Sequence, residues 1–257
     1  MRFSLEQFSG VFKIRNADGQ PFILIGGQAV NYWATRYLAV EPDLKAWQPF
    51  TSKDIDFQGT VADVRRAASL LGRPSRLPHK RMMTAFAGGV SWPVGDALSQ
   101  VEFVRTLPGV KPSEVERFAV THLFGEQTIR VADPVSLLAC KLHLALTVDQ
   151  TNRRDADHVR ILVLCSRAFL RETLLGAADG ALPVRGWLGA AERVLKLAES
   201  KLGRRAVRAL ELDWNRALPL VEIAASPLPP VVQFREKRLA QWRAKQLNRG
   251  KRKPVSD

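Results

Sequence analysis

FILIGGQAVNYWATRYL, residues 22–38, decides how the chain is read. Phe22 to Ile25 is an apolar run bounded by Pro21 and Gly26, short enough for a buried strand rather than a helix. From Gln28 to Leu38, the residues Val30, Trp33, Ala34, Tyr37 and Leu38 recur at spacings of three and four, which predicts a helix with one apolar face. The unit is therefore strand, Gly26-Gly27, helix. Glycines let phosphate oxygens approach the backbone closely, and a helix N-terminus offers unpaired N–H groups and a positive dipole end. An isolated Gly-Gly pair is better explained as a turn that needs glycine dihedrals, so its meaning depends on the residues downstream.

Downstream lies SKDIDF, residues 52–57. Ile55 and Phe57 alternate with Asp54 and Asp56, the pattern of a strand with one buried and one polar face. Carboxylates at i and i+2 of a strand project from the same face, so Asp54 and Asp56 point together. Two like charges side by side repel unless a cation offsets them, and hard carboxylate oxygens suit Mg2+ or Mn2+. QVEFV, residues 100–104, alternates in the same way and supplies Glu102 as a third acid on another strand. A lone D-x-D reads as a solvated strand edge; it is the Gly-Gly unit upstream that shifts the balance toward one cleft for phosphates and metal.

The order strand, Gly-Gly, helix, then residues 52–57, then residues 101–104, resembles the polymerase-beta-like nucleotidyltransferase superfamily. Within it the chain looks most like the AbiE-type abortive-infection toxins. Residues 131–142, with Asp133-Pro134, Leu137, Leu138 and Lys141, and residues 153–162, with Arg153-Arg154-Asp155 and His158, are similar to later segments of that family. The resemblance spans roughly residues 20 to 165. It implies that Asp54, Asp56 and Glu102 are the catalytic and metal-binding acids, that Gly26, Gly27 and Gln28 hold nucleotide phosphates, and that Lys141 and Lys53 neutralise the triphosphate. The chain departs from the family in three ways: 26 residues separate Gly27 from Asp54, the third acid is glutamate, and His158 stands where many relatives carry an acid.

The implied reaction is in-line attack of an acceptor hydroxyl on the α-phosphate of a nucleoside triphosphate, with release of pyrophosphate. Two metal ions about 3.5–4 Å apart stabilise the entering and leaving oxygens in such sites. RNA is a candidate acceptor, and an antitoxin protein is a candidate partner, as in the toxins. Two other readings stay open: a catalytically quiet nucleic-acid-binding relative, and a small-molecule nucleotidyltransferase.

Beyond residue 134 the pattern turns helical, with helices expected over 135–147, 156–170, 187–200 and 205–214. The expected fold is α+β: a nucleotidyltransferase-type mixed sheet with flanking helices over residues 1–133, a helical domain over 134–225, and a basic extension over 226–257, entered through the proline-rich stretch 225–230. With 257 residues and 46% apolar side chains the chain can build a substantial core. Its two cysteines, Cys140 and Cys165, lie in apolar helical stretches without C-x-x-C spacing and read as reduced core thiols. Among the histidines, His79, His122 and His143 have no partner at zinc-ligand spacing. The first nineteen residues lack the apolar core of a secretory signal, and no apolar run approaches the ~18 residues of a membrane span, so a cytoplasmic protein with no membrane partner is expected.

The formal charge is +14. Residues 235–253 hold nine Lys or Arg against one acid, Glu236. Such a segment attracts polyanions through counterion release, or serves equally well as a solvated tail. Arg235, Lys237, Arg238, Arg243 and Lys245 are the nucleic-acid-binding candidates there. Trp242 among them reads as helix packing before base stacking, and Trp33, Trp187 and Trp214 as core.

Overall fold

The computed structural model describes residues 1–79, 81 and 84–250. Its contacts divide the chain into two compact units, residues 1–165 and residues 166 onward. The fold is α+β, built on a mixed sheet with flanking helices.

The first unit is organised around strand β1 (Ile23–Ile25), all three residues buried. It feeds directly into helix α1 (Gly26–Tyr37). Strand β2 (Ile55–Gln58) lies antiparallel to β1, with Ile25 opposite Asp56. Helix α2 (Val61–Leu71) follows, opened by a capping box between Thr60 and Asp63 and closed by Gly72 in the left-handed region. Strands β3 (Ser75–Arg76), β4 (Phe86–Val94) and β5 (Ala97–Val104) come next. Helix α3 (Pro112–Phe118) leads to β6 (Val120–Phe124) and β7 (Gln127–Val131). The seven strands order as β3-β4-β5-β2-β1-β7-β6. β5 runs parallel to β2 and sets Glu102 opposite Asp56; β7 runs parallel to β1. On one side of the sheet Phe22, Phe57 and Phe103 pack edge to face or tilted at 5.1–6.2 Å between ring centroids, an arrangement that adds to their burial energy.

Helix α4 (Pro134–Thr147) starts at Asp133, whose carboxylate accepts from the backbone N–H groups of Val135 and Ser136. It packs on α1, and Trp33 Nε1 donates to the Ala132 carbonyl at 2.8 Å just before it. Because α4 covers α1 and carries nine buried residues, it clusters with the sheet, and the division of the chain falls inside helix α5 (Asp155–Ala178).

The second unit contains α6 (Val184–Glu199), α7 (Lys201–Ala209), α8 (Leu220–Ala225), α9 (Pro229–Gln233) and α10 (Ala240–Gly250), with a π-helical stretch over Phe234–Leu239 joining the last two. Two features differ from the sequence reading. The helix expected over 205–214 starts earlier, because Ser200 Oγ caps it by accepting from Gly203 N–H at 2.9 Å, and it ends at Ala209, with Trp214 in a separate 3-10 turn. Of the stretch 225–230, read as a linker, only residues 226–228 lie outside α8 and α9: a proline opens α9 at a position that needs no N–H, and Val231, Phe234, Leu239 and Trp242 beyond it are all buried. The cations at 251–253 lie outside the described residues.

Candidate active site

Asp54, Asp56 and Glu102 line one cleft of about 260 Å³ in the first unit. The sheet explains why. Asp56 and Glu102 are register partners on adjacent parallel strands, and Asp54 precedes β2 by one residue on the same side as Asp56. Ser52 Oγ donates to Asp54 Oδ1 at 3.3 Å, and Ser99 Oγ holds the Lys53 carbonyl at 2.7 Å.

The N-terminus of α1 meets the same cleft through Gly27. No side chain caps that helix end and no acid lies in its first turn. Instead Asp56, from the neighbouring strand, accepts from Gly27 N–H. Gly26 has φ +69°, and a Cβ there would overlap the Asp56 carboxylate; one at Gly27 would press on Ser52 Oγ at 2.5 Å. Both glycines are thus accounted for by how closely the strand carboxylate and the serine approach the helix start.

Opposite the acids stands a basic wall. Lys141 on α4 and Asp155 at the start of α5 are buried and paired at 2.8 Å, and Arg153 Nε reaches the other Asp155 oxygen at 2.6 Å. Arg154, Asn152, His158 and Arg2 also line the cleft. Arg2 arrives there because Phe3 exchanges two backbone hydrogen bonds with Ser52, at 2.7 and 2.9 Å. Asn152 takes the left-handed region, φ 64°, which asparagine tolerates better than most residues.

The electrostatics reflect this layout. Burial, then the neighbouring Asp54 charge, with a smaller push from Glu102, raises the Asp56 carboxyl from 3.8 to about 8, against the pull of Lys141 and the Gly27 N–H. Burial and Asp54 push Glu102 up as well, while Arg76, paired with it at 3.3 Å, opposes them. For Asp155 burial acts upward, but the Lys141 charge and hydrogen bond, together with Arg153, outweigh it and hold the carboxyl below its ordinary value. His158 is buried, and burial together with Lys141, Arg154 and Arg2 lowers its imidazole from 6.5 to about 3 against Asp155, so the ring is neutral. Its Nδ1 is buried without a hydrogen-bond partner.

Three carboxylates lining one cleft, two of them with raised proton affinity, are hard oxygen donors of the kind that suits a divalent cation such as Mg2+ or Mn2+. Among the described residues no group of three or more His, Cys, Asp or Glu is disposed as a ready-made metal cage.

The structure brings some of the remaining sequence candidates to the cleft and not others. Lys53 and Lys141 line the cleft; Gly26 lies against the Asp56 carboxylate. Gln28 does not reach the cleft with its side chain: it is wholly buried, donates to the Phe3 carbonyl at 3.0 Å and accepts from Asn31 Nδ2 at 3.0 Å. Its face of α1 turns inward because the helix is covered on nearly all sides. Of the basic candidates near the C-terminus, Arg238 is held by Glu192 and Glu199, each at 2.8 Å, Lys245 by Glu199 at 3.6 Å, and Arg235 by the Ala224 carbonyl and Glu236. Lys237 and Arg243 remain exposed. Arg2 and Asn152 have no motif signal, and Ser52, which opens the SKDIDF stretch, has no role assigned by that motif; the Phe3–Ser52 bridge and the turn before α5 bring them in.

No protein-family model matches this sequence, and no curated protein is significantly similar to it. Among solved structures the chain is similar to JHP933 from Helicobacter pylori at 16% identity, over 95% of this chain and 94% of that one, with a TM-score of 0.34. No helix among the described residues is long and apolar enough to cross a membrane.

Proposed function

We propose that the cleft is the active site of a metal-dependent nucleotidyltransferase that moves a nucleoside monophosphate from a nucleoside triphosphate to an acceptor hydroxyl, with RNA as the candidate acceptor and an antitoxin-like protein as a candidate partner. The observation that carries this reading is the convergence of Asp54, Asp56 and Glu102 with the α1 N-terminus and Lys141 in one cleft. The acids would hold Mg2+ or Mn2+, which supplies charge stabilisation for the entering and leaving oxygens of an in-line displacement. The chain's own groups divide the remaining work. With Gly27 N–H taken by Asp56, it is the dipole of the α1 N-terminus that favours phosphate oxygens in the cleft. Lys141, fixed by Asp155, and the exposed Lys53 neutralise charge that grows as pyrophosphate leaves. Arg2, Arg153 and Arg154 bring further cations to the same wall. One carboxylate, freed of its proton, is positioned to accept the proton of the acceptor hydroxyl.

Binding tests the reading ahead of turnover. Calorimetric titration with a nucleoside triphosphate and Mn2+ is expected to show a complex in the intact protein that weakens at least ~100-fold in both Asp54→Ala and Asp56→Ala, about 2.7 kcal/mol. Binding of equal strength in both variants would remove the acids from the site.

A further inference from the structure

A cluster of exposed cations in the second unit lies away from the stretch where the sequence concentrates its charge. Helix α7 carries Lys201, Arg204, Arg205 and Arg208. Their spacing is i, i+3, i+4 and i+7, which puts all four on one face of the helix. All four are exposed, and among the described residues none is paired with a carboxylate. The helix contains no acid, and the nearest one before it, Glu199, is already engaged by Arg238 at 2.8 Å and Lys245 at 3.6 Å. Arg204 additionally donates to the Glu199 carbonyl, which orients its guanidinium without neutralising it. The opposite face of α7 is committed to the unit's own core: Gly203 lies against the Leu197 carbonyl, Ala206 is buried, and Trp214 Nε1 donates to the Gly203 carbonyl at 3.0 Å.

We infer that the exposed face of α7 is a docking surface for a nucleic-acid phosphate backbone. The stripe runs about 10 Å along the helix at 1.5 Å per residue, a length that spans about three phosphates of one strand at ~3.4 Å each. Arginine, three of the four, presents a planar fork matched to phosphate oxygens. An anionic membrane is the less fitting polyanion, because a surface helix that binds lipid inserts an apolar face, and the apolar face of α7 is packed inside the protein. The α7 surface is independent of the chemistry of the cleft and needs none of it. It also moves polyanion binding away from residues 235–245, where three of the five cations already have partners.

The test uses the full chain and its fourfold variant Lys201→Ala, Arg204→Ala, Arg205→Ala, Arg208→Ala, with circular dichroism to check that both are folded. Fluorescence anisotropy with a labelled single-stranded RNA and a labelled duplex DNA, between about 50 and 200 mM salt, gives affinity and salt slope. The variant is expected to bind at least ~10-fold more weakly at low salt, with a slope smaller by about 2.7 to 3.6 on the duplex, because each of three to four lost phosphate contacts removes ~0.9. Lys237→Ala with Arg243→Ala is expected to change affinity less than ~3-fold, and the charge-preserving Arg204→Lys, Arg205→Lys, Arg208→Lys variant to keep the salt slope, since slope counts charges. Unchanged affinity and slope in the fourfold variant would overturn the inference. So would a loss confined to binding of phosphatidylserine vesicles.

Discussion

At Asp56 two demands conflict: the fold buries a carboxyl beside two others, and any metal held there needs it ionised. Its carboxyl is raised from 3.8 to about 8, chiefly by burial and then by Asp54. A raised value means that the folded state binds the proton more tightly than the unfolded state, so stability is lost as pH climbs from about 4 to about 8. The neutral isostere removes that loss. In chelator, Asp56→Asn is expected to stabilise the protein at pH 8 by at least ~1 kcal/mol and to leave it unchanged at pH 4, read from thermal melts; equal effects at both pH values would contradict the assignment. The same proton must leave when a cation binds. Mn2+ affinity is therefore expected to rise by up to ~10-fold per pH unit below about 8 and then level off, with release of about one proton in calorimetry. An affinity flat from pH 6 to 9 would show that Asp56 is not a ligand.

Among the elements, the junction of β1 and α1 matters most, because it sets backbone N–H groups, Asp56 and Ser52 within contact of one another. Gly26→Ala introduces both an overlap with the Asp56 carboxylate and a left-handed φ, the latter worth ~1–2 kcal/mol for a residue with a Cβ. Its loss of stability is expected to exceed ~2 kcal/mol, and adding Asp56→Ala is expected to return the part due to overlap while leaving the dihedral part. Strict additivity of the two substitutions in a double-mutant cycle would mean that the contact is not made. This junction was readable in the sequence because it is local: an apolar run, two glycines, a helical period, and an i, i+2 pair of acids each show within a few residues. Strand β4 was not. Its sequence holds Gly88, Gly89 and Pro93, which argue against a strand, yet Gly88 is required there because a Cβ would meet the Arg76 carbonyl at 2.8 Å. The short, half-exposed β6 and the two-residue β3 carry too little apolar alternation to stand out. Gln28 misled for a related reason: position at a helix N-terminus suggests phosphate contact, whereas the direction of its side chain is decided by Phe3 and Asn31, and Phe3 lies 25 residues away.

Across the whole molecule, charge and packing are distributed differently from how they run along the chain. The segment that reads as a basic extension contributes Val231, Phe234, Leu239 and Trp242 to the core of the second unit, with the Phe234 ring 5.3 Å from that of Trp187. Trp242→Ala is accordingly expected to cost ~3–5 kcal/mol in denaturant unfolding, and ending the chain at Leu228 to abolish cooperative unfolding of that unit rather than trim a tail. A truncated protein with an unchanged denaturant midpoint would contradict that packing. The cleft of the first unit, with acids on the sheet and cations on α4 and in the turn before α5, carries the central claim, that it transfers nucleotides. The most direct measurement incubates the protein with Mg2+, total RNA and a nucleoside triphosphate labelled at either the α- or the γ-phosphate. The account predicts that label from the α-phosphate appears covalently on an acceptor, that label from the γ-phosphate appears only in pyrophosphate, and that Asp54→Asn removes both. Label transferred from the γ-phosphate to the acceptor, or transfer undiminished in Asp54→Asn, would contradict it.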